Sequence, residues 1–274
     1  MDKRIMSEYN YKTVAYNIST EQTSSEREMN AEEETSLDDN DFRNAASLRE
    51  ESGETDHSQM YAMDKFEGDI VMESKMRSMV RMERKLWPNG RIPYVISPKY
   101  SKGERAIIAK AIQLFHSQTC IRFVPKESND RAYLYLVPRR GCFTNLGKIG
   151  QKQIVSLSQI GCVGVGTVQH ELMHAMGFYH EQSRYDRDNY IKIYPENIMQ
   201  GASTQFQKAT KNQMDTHGEK YDVGSVMHYD SSAFSKNSKP TMVKKNGGMI
   251  VPFKLANQND IRKINKLYKC PQKG

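Results

Sequence analysis

Apolar positions along this chain fall into two regimes. Across residues 1–60 they are sparse and without steady period among Glu, Asp, Ser, Asn and Thr. Such a segment cannot bury enough apolar surface to hold a fold, so it is expected to be largely disordered, with order beginning near Phe66. From Leu86 the pattern tightens. Trp87-Pro88-Asn89-Gly90 reads as a turn and Ile92–Ile96 as a strand. Ser101 followed by Glu104 makes a capping box, after which Ile107, Ile108, Ala111, Ile112 and Phe115 recur at helical spacing and are assigned to the core. His116, beside that stripe, is assigned a structural or surface place. Ile121–Pro125, Ala132–Val137 and Ile154–Leu157 read as further strands, and Gly164, Gly166 and Thr167 lead into a second helix with Gly166 or Thr167 as its N-cap. Tyr190–Tyr194 alternates as a short strand, and residues 200–222 are polar and weakly patterned. Ile261, Ile264, Leu267 and Tyr268 predict a last amphipathic helix reaching Cys270.

Charge divides the chain at about the same place. Residues 1–77 carry 9 Lys+Arg against 19 Asp+Glu, a net charge of −10; the remainder carries 31 against 14, a net charge of +17. An acidic front before a basic body reads either as a solvated tail or as a pro-segment held partly by charge. The basic run Lys75–Lys85, with Arg77, Arg81 and Arg84, is an expected proteolytic nick site between the two. The basic residues of the body are scattered and accompany no nucleic-acid motif, so no nucleic-acid partner is expected. No run approaches the ~18 apolar residues of a membrane span, and the first residues lack the apolar region of a signal peptide. The cysteines, Cys120, Cys142, Cys162 and Cys270, form no CxxC pair; they allow three disulfide pairings in an oxidising compartment, or four buried thiols in a reducing one. Asn17-Ile18-Ser19 is a glycosylation sequon.

The chemistry is concentrated in HELMHAMGFYH, His170 to His180. His170 and His174 lie one helical turn apart on one face and can share a Zn²⁺ ion; Glu171, turned away from that pair, can reach a water beside the metal. Gly177 tolerates positive φ, so the helix can stop there and the chain can bring His180 back to the same metal. Three neutral nitrogens leave a coordination position open, as in catalytic zinc sites. A bare HExxH can arise by chance with solvated histidines. The glycine, the third histidine and a Met-bearing turn downstream make the longer metzincin pattern instead.

From Trp87 to Cys270, on HELMHAMGFYHEQSRYDRDNY and on Ser225-Val226-Met227-His228-Tyr229, the chain resembles the catalytic domain of the astacin family of zinc endopeptidases. The resemblance implies an α+β, zincin-like catalytic domain of two subdomains, with a twisted, mostly parallel N-terminal sheet and an active-site helix. It implies one Zn²⁺ on His170, His174 and His180, with Glu171 as general base. Met227 would lie beneath the metal, and Tyr229 would be a switchable further ligand that swings off to stabilise the charged intermediate; His228 would have no ligand role. It pairs Cys142 with Cys162 and Cys120 with Cys270. Phe66-Glu67-Gly68-Asp69 resembles the family's pro-segment motif, which makes Asp69 the zymogen switch. Residues 1–60 are then a disordered acidic region, 61–77 the pro-segment and 78–274 the catalytic domain. A cut after Arg77 by a trypsin-like protease would free an amine that pairs with Glu181. With no EGF-like or CUB module after Cys270, the likeness is to single-domain members. Protein or peptide substrates are implied, lying along the Cys142–Gly147 edge, and secretion with them. The competing expectation is a non-catalytic basic module of the same fold that contacts anionic matrix or glycans.

Overall fold

The computed structural model describes residues 34–49, 57–71, 86–212, 214–251 and 254–271. Strands β1 (Ile70–Val71), β2 (Arg91–Ile96), β3 (Arg122–Pro125), β4 (Tyr133–Val137), β5 (Cys142–Asn145) and β6 (Lys152–Leu157) form one sheet in the order β1-β5-β6-β4-β2-β3. Only β5 runs antiparallel to its neighbour β6; the other pairs are parallel. β2 is buried at all but its first position, the near-continuous apolar run of an interior parallel strand. The helix α2 (Lys102–Gln118) starts on the expected capping box: Glu104 Oε2 accepts from Ser101 N–H at 2.7 Å and Ser101 Oγ accepts from Glu104 N–H at 3.3 Å. It buries Ile108, Ala111, Ile112 and Phe115, whereas Ile107 is only half-buried. His116 is structural, its Nε2 accepting from Phe123 N–H at 2.9 Å.

The helix α3 (Val165–Met176) carries the histidine pair and is buried along its whole length. Its N-cap is Gly164, not Gly166 or Thr167. Gly166 instead lies inside the first turn, where a Cβ would collide with the Lys254 carbonyl; close approach of a neighbouring chain segment fixes glycine there. Trp87 Nε1–H donates to Ala175 O at 2.9 Å and Tyr268 O–H to Met176 O at 2.9 Å, so the start and end of the domain both hold the back of α3. The last helix, α4 (Gln258–Leu267), follows the predicted stripe. Disulfides Cys120–Cys270, with Cα atoms 5.3 Å apart, and Cys142–Cys162, at 5.7 Å, tie α2 to the segment after α4 and β5 to the loop before α3.

Beyond His180 the chain is mostly turns around a second apolar cluster that includes Ile191, Phe206, Tyr221, Tyr229, Phe234 and Met242. It contains a two-stranded antiparallel sheet of β7 (Ile191–Ile193) and β8 (Met242–Lys244). β5 lies within the Cys142–Gly147 stretch expected as a sheet edge; β8 has no such signal, because it is short and its pairing, not its own alternation, makes it a strand.

Order does not begin at Phe66. The helix α1 (Asp39–Ser47) lies inside the stretch expected to be disordered, and it packs on α2. Asp38 caps it, accepting from Asn40 N–H and Asp41 N–H, and Asp41 accepts in return from Asp38 N–H at 3.0 Å. Arg105 then clamps the segment: it donates to both Asp41 carboxylate oxygens, to Ser36 O at 2.7 Å and to Thr35 Oγ1 at 3.3 Å. Thr35 exchanges backbone hydrogen bonds with Ile96. A partner 64 residues away supplies what local composition lacks. Residues 1–33 and 50–56, with the Asn17 sequon, lie outside the described residues, as does the 72–85 segment with its expected cut sites.

Candidate active site

The site forms where three segments meet the C-terminal half of α3. Gly177 adopts φ 110°, and its N–H and that of Phe178 return to the carbonyls of His174 and Met173. That reversal also orients a ligand, because Phe178 O accepts from His174 Nδ1 at 2.7 Å. Val226 O accepts from His170 Nδ1 at 2.8 Å, and Glu67 Oε2 lies 2.9 Å from His180 Nδ1. A carbonyl can only accept, and so can an ionised carboxylate, so each Nδ1 carries its proton and each Nε2 presents a lone pair whenever its ring is neutral. These Nε2 atoms converge: His170 lies 3.0 Å from His174 and 3.2 Å from His180, all three rings being buried. The Asp69 oxygens lie 3.2 Å from His170 Nε2, 3.3 Å from His174 Nε2 and 3.3 Å from His180 Nε2.

Three lone pairs and a carboxylate in a buried space call for a cation. The four ligand atoms lie within 4.8 Å of one another, and three imidazoles with one carboxylate suit Zn²⁺. The electrostatics agree. Burial would raise the Asp69 carboxyl, but the His180, His174 and His170 rings outweigh it and hold it well below the usual range. Burial pushes His170 down to about 4, whereas the Asp69 and Glu67 charges outweigh burial at His180 and lift it to about 9. A proton on His180 and a metal ion are thus alternative answers to the same negative charge.

Glu171 stands apart from this group, as its place on the helix predicts. It is fully buried and neither carboxylate oxygen has a hydrogen-bond partner. Burial, with the Asp69 charge adding to it, holds its carboxyl well above the ordinary range. A dication at the histidines acts the other way and favours the carboxylate.

The turn bearing Met227 is a second support. Met227 is buried in the main core and its carbonyl accepts from Glu181 N–H at 2.8 Å. Asp260 fixes the turn, accepting from Ser225 Oγ–H at 2.5 Å, Val226 N–H at 3.2 Å and Asn257 N–H at 3.1 Å. Since Val226 O in turn accepts from His170, Asp260 reaches the metal group through one residue. Burial pushes the Asp260 carboxyl up to about 6 against the Lys263 charge and these bonds. The folded chain therefore holds this proton more tightly than the unfolded one. The stability it contributes is complete below the unfolded value, near 3.9, and is lost as pH rises through about 6, a loss on the order of 2–3 kcal/mol. The expected result is that Asp260→Asn, compared with the parent by urea unfolding between pH 4 and 7, shows a flatter decline in stability by that amount; parallel curves would refute it.

Tyr229 directs its hydroxyl to Glu67 O at 2.5 Å, and Gln182 Oε1 accepts from its N–H at 3.0 Å. Its ring centroid lies 4.7 Å from that of His180. His228 is held by Tyr221 and its neighbour's carbonyl, away from the imidazole group. Glu181 is buried, with Lys263 Nζ at 2.6 Å, Arg184 Nη1 at 3.1 Å and Asp222 N–H at 2.9 Å. Ser78, whose freed amine was expected at Glu181, lies outside the described residues.

The chain's own residues 57–71 cover the site. Glu67 and Gly68 have φ of 47° and 80°, a left-handed corner that sends the Glu67 and Asp69 carboxylates to the imidazoles. A Cβ on Gly68 would meet the Met60 carbonyl, which makes glycine obligatory at this corner. β1 then pairs with β5 in parallel, Ile70 against Thr144, so this segment already occupies the edge expected for substrate.

A family model described as Astacin, a peptidase family, matches residues 79–269. The chain belongs to the astacin family. It is 42% identical over 271 residues to the zinc metalloproteinase nas-15 of Caenorhabditis elegans, covering 89% of this chain and 47% of that protein. It is 43% identical over 238 residues to nas-7 of the same organism, covering 86% and 62%. This chain thus spans about half to three-fifths of the length of these two relatives. High choriolytic enzyme 1 of Oryzias latipes, a hatching-enzyme zinc-protease, superposes with a TM-score of 0.63 at 36% identity over 74% of this chain and all of that one. The cofactor of this astacin is zinc, and the group of His170, His174, His180 and Asp69 can hold one metal ion.

Sequence reasoning brought the three histidines, Asp69 and Tyr229 to one place, with Glu171 beside them on α3. It missed Glu67, Asp260 and Lys263. A lysine flanked by Ile261 and Ile264 on an apolar face was the available signal for Lys263. Glu67 stands inside the Phe66–Asp69 motif, but nothing there gives it a role, since its contact with His180 spans 113 residues.

Proposed function

We propose that this astacin is a latent zinc endopeptidase of extracellular proteins, silenced by its own residues 57–71. Residues 61–77 act as pro-segment and 78–274 as catalytic domain, separated by a trypsin-like protease cutting the basic 72–85 stretch. The observation that carries the reading is a metal-ligating group closed by a carboxylate from an upstream segment, with the orphaned Glu171 carboxylate beside it. The two disulfides support a secretory route. Among the described residues, no helix is long and apolar enough to cross a membrane.

His170, His174 and His180 hold the zinc, which when bound supplies the Lewis acid that makes a water acidic near neutral pH and polarises a carbonyl. Glu171 takes a proton from the attacking water as the water oxygen bonds to the peptide carbon. It then gives that proton to the amide nitrogen as the C–N bond breaks, leaving a carboxylic acid, which passes its proton to solvent, and an amine. With Glu67 gone, the Tyr229 hydroxyl is free to donate to the carbonyl oxygen as negative charge builds there. The outer edge of β5, relieved of β1, offers its N–H and C=O groups to an extended substrate. Met227 keeps the floor of the site apolar, and Glu181 is the partner for the amine freed by cleavage.

The direct test is metal removal. Dialysis of the processed chain against a strong chelator should abolish hydrolysis of an unstructured protein substrate, and one equivalent of Zn²⁺ should restore it. Undiminished hydrolysis by a metal-free preparation would overturn the proposal.

A further inference from the structure

The segment that covers the imidazoles carries a second plug. Tyr61 lies between the two apolar clusters, packing against both. Its ring stands edge-on to Tyr229, centroids 5.3 Å apart, and tilted against Phe234 at 5.2 Å. Phe206 backs both of those rings at 6.1 Å. At the end of the slot the Tyr61 hydroxyl donates to Asp230 Oδ2 at 2.6 Å. The carboxylate owes its orientation to its own turn, because Oδ1 accepts from Ser232 N–H at 2.6 Å and from Ser232 Oγ–H at 2.5 Å. When residues 57–71 leave, they vacate a slot with aromatic walls and a fixed acceptor at its end. It lies one ring, Tyr229, away from His180.

We propose that this slot, formed by Tyr229, Phe234, Phe206 and Asp230, is a substrate subsite that selects a tyrosine side chain. The inference rests on the peptidase reading above and adds a substrate preference to it. A tyrosine fills the walls and donates to Oδ2. Phenylalanine gains the same ring contacts and leaves the carboxylate to water. A glutamate meets like charge. Aromatic packing of this kind contributes about 0.5–1.5 kcal/mol beyond burial, and a hydrogen bond to a charged acceptor adds to it.

The test uses the zinc-loaded chain processed in the 72–85 segment and freed of its pro-segment. Peptides differ only in carrying Tyr, Phe, Glu or Arg at each of the three positions on either side of the cleaved bond. At one position kcat/KM for Tyr should exceed that for Phe by about tenfold, with Glu lower still, and Asp230→Ser should bring the Tyr/Phe ratio at that position within twofold. A ratio unchanged by Asp230→Ser, no Tyr preference at any position, or Arg preferred to Tyr there would overturn the subsite while leaving the peptidase intact. Cleavage of no peptide at all would overturn the peptidase reading instead, and the slot is then decided by binding. In Glu171→Ala chains cut in the 72–85 segment, the Tyr61→Phe pro-segment should dissociate about tenfold faster than the parent's; equal rates would show that the slot does not read the hydroxyl.

Discussion

Glu171→Ala is expected to keep its zinc and its fold while losing peptide hydrolysis by about 10²–10⁴-fold in kcat, the range that general acid–base catalysis supplies. The asymmetry between chemistry and stability makes this informative. Glu171 is fully buried and neither oxygen finds a partner, so it contributes no hydrogen bond to the fold. Removing a buried carboxylate that nothing pairs relieves a desolvation cost and leaves a small cavity in its place. The melting temperature should therefore hold or rise. Zinc content stays at one per chain, because the ligands are the imidazoles. Full hydrolysis by this variant would exclude Glu171 as the base, and loss of zinc along with activity would make it a ligand instead.

The second large effect belongs to Asp69→Ala in the uncut chain. Its carboxylate lies within 3.3 Å of all three imidazole Nε2 atoms and is completely buried. Breaking one side of a buried charge set costs about 3–5 kcal/mol, which shifts the covered and uncovered states of the site by about 10²–10³-fold or more. Hydrolysis by the uncut variant should rise from background to a measurable fraction of the processed chain's rate. It should not reach the whole of it, because other holds persist, among them the Glu67 contact with His180, the Tyr229 bond to Glu67 O, the Tyr61 bond to Asp230 and the pairing of β1 with β5. Adding Glu67→Ala should release more. The decisive measurement is turnover of a quenched peptide by uncut protein whose intact length is verified after the assay. An Asp69→Ala variant as silent as its parent, with zinc bound, would refute the switch.

The sequence was most informative where chemistry and local geometry coincide. A 3.6-residue period puts His170 and His174 on one face, and a glycine at position 177 permits the reversal that returns His180; both are properties of a few consecutive residues. The same holds for the capping box of α2 and for the apolar stripes of α2 and α4. The pairing of the cysteines was implied by family resemblance, since spacing alone left three choices, and the structure joins the same partners.

Tertiary structure decided whatever depends on residues far apart in the chain. α1 exists because Arg105 and Ile96 meet a segment whose composition reads as disordered. β5 and β8 are strands because other strands lie beside them. Glu67 orients His180 and Asp260 holds the turn behind His170, through contacts that no periodicity encodes. By itself, the sequence determined which atoms could bind a metal and singled out Glu171 as the carboxylate beside them. Only the fold decided what fixes those atoms in place and which of the chain's own residues lie across them, because hydrogen bonds and ion pairs of long sequence separation form only when the whole core has closed.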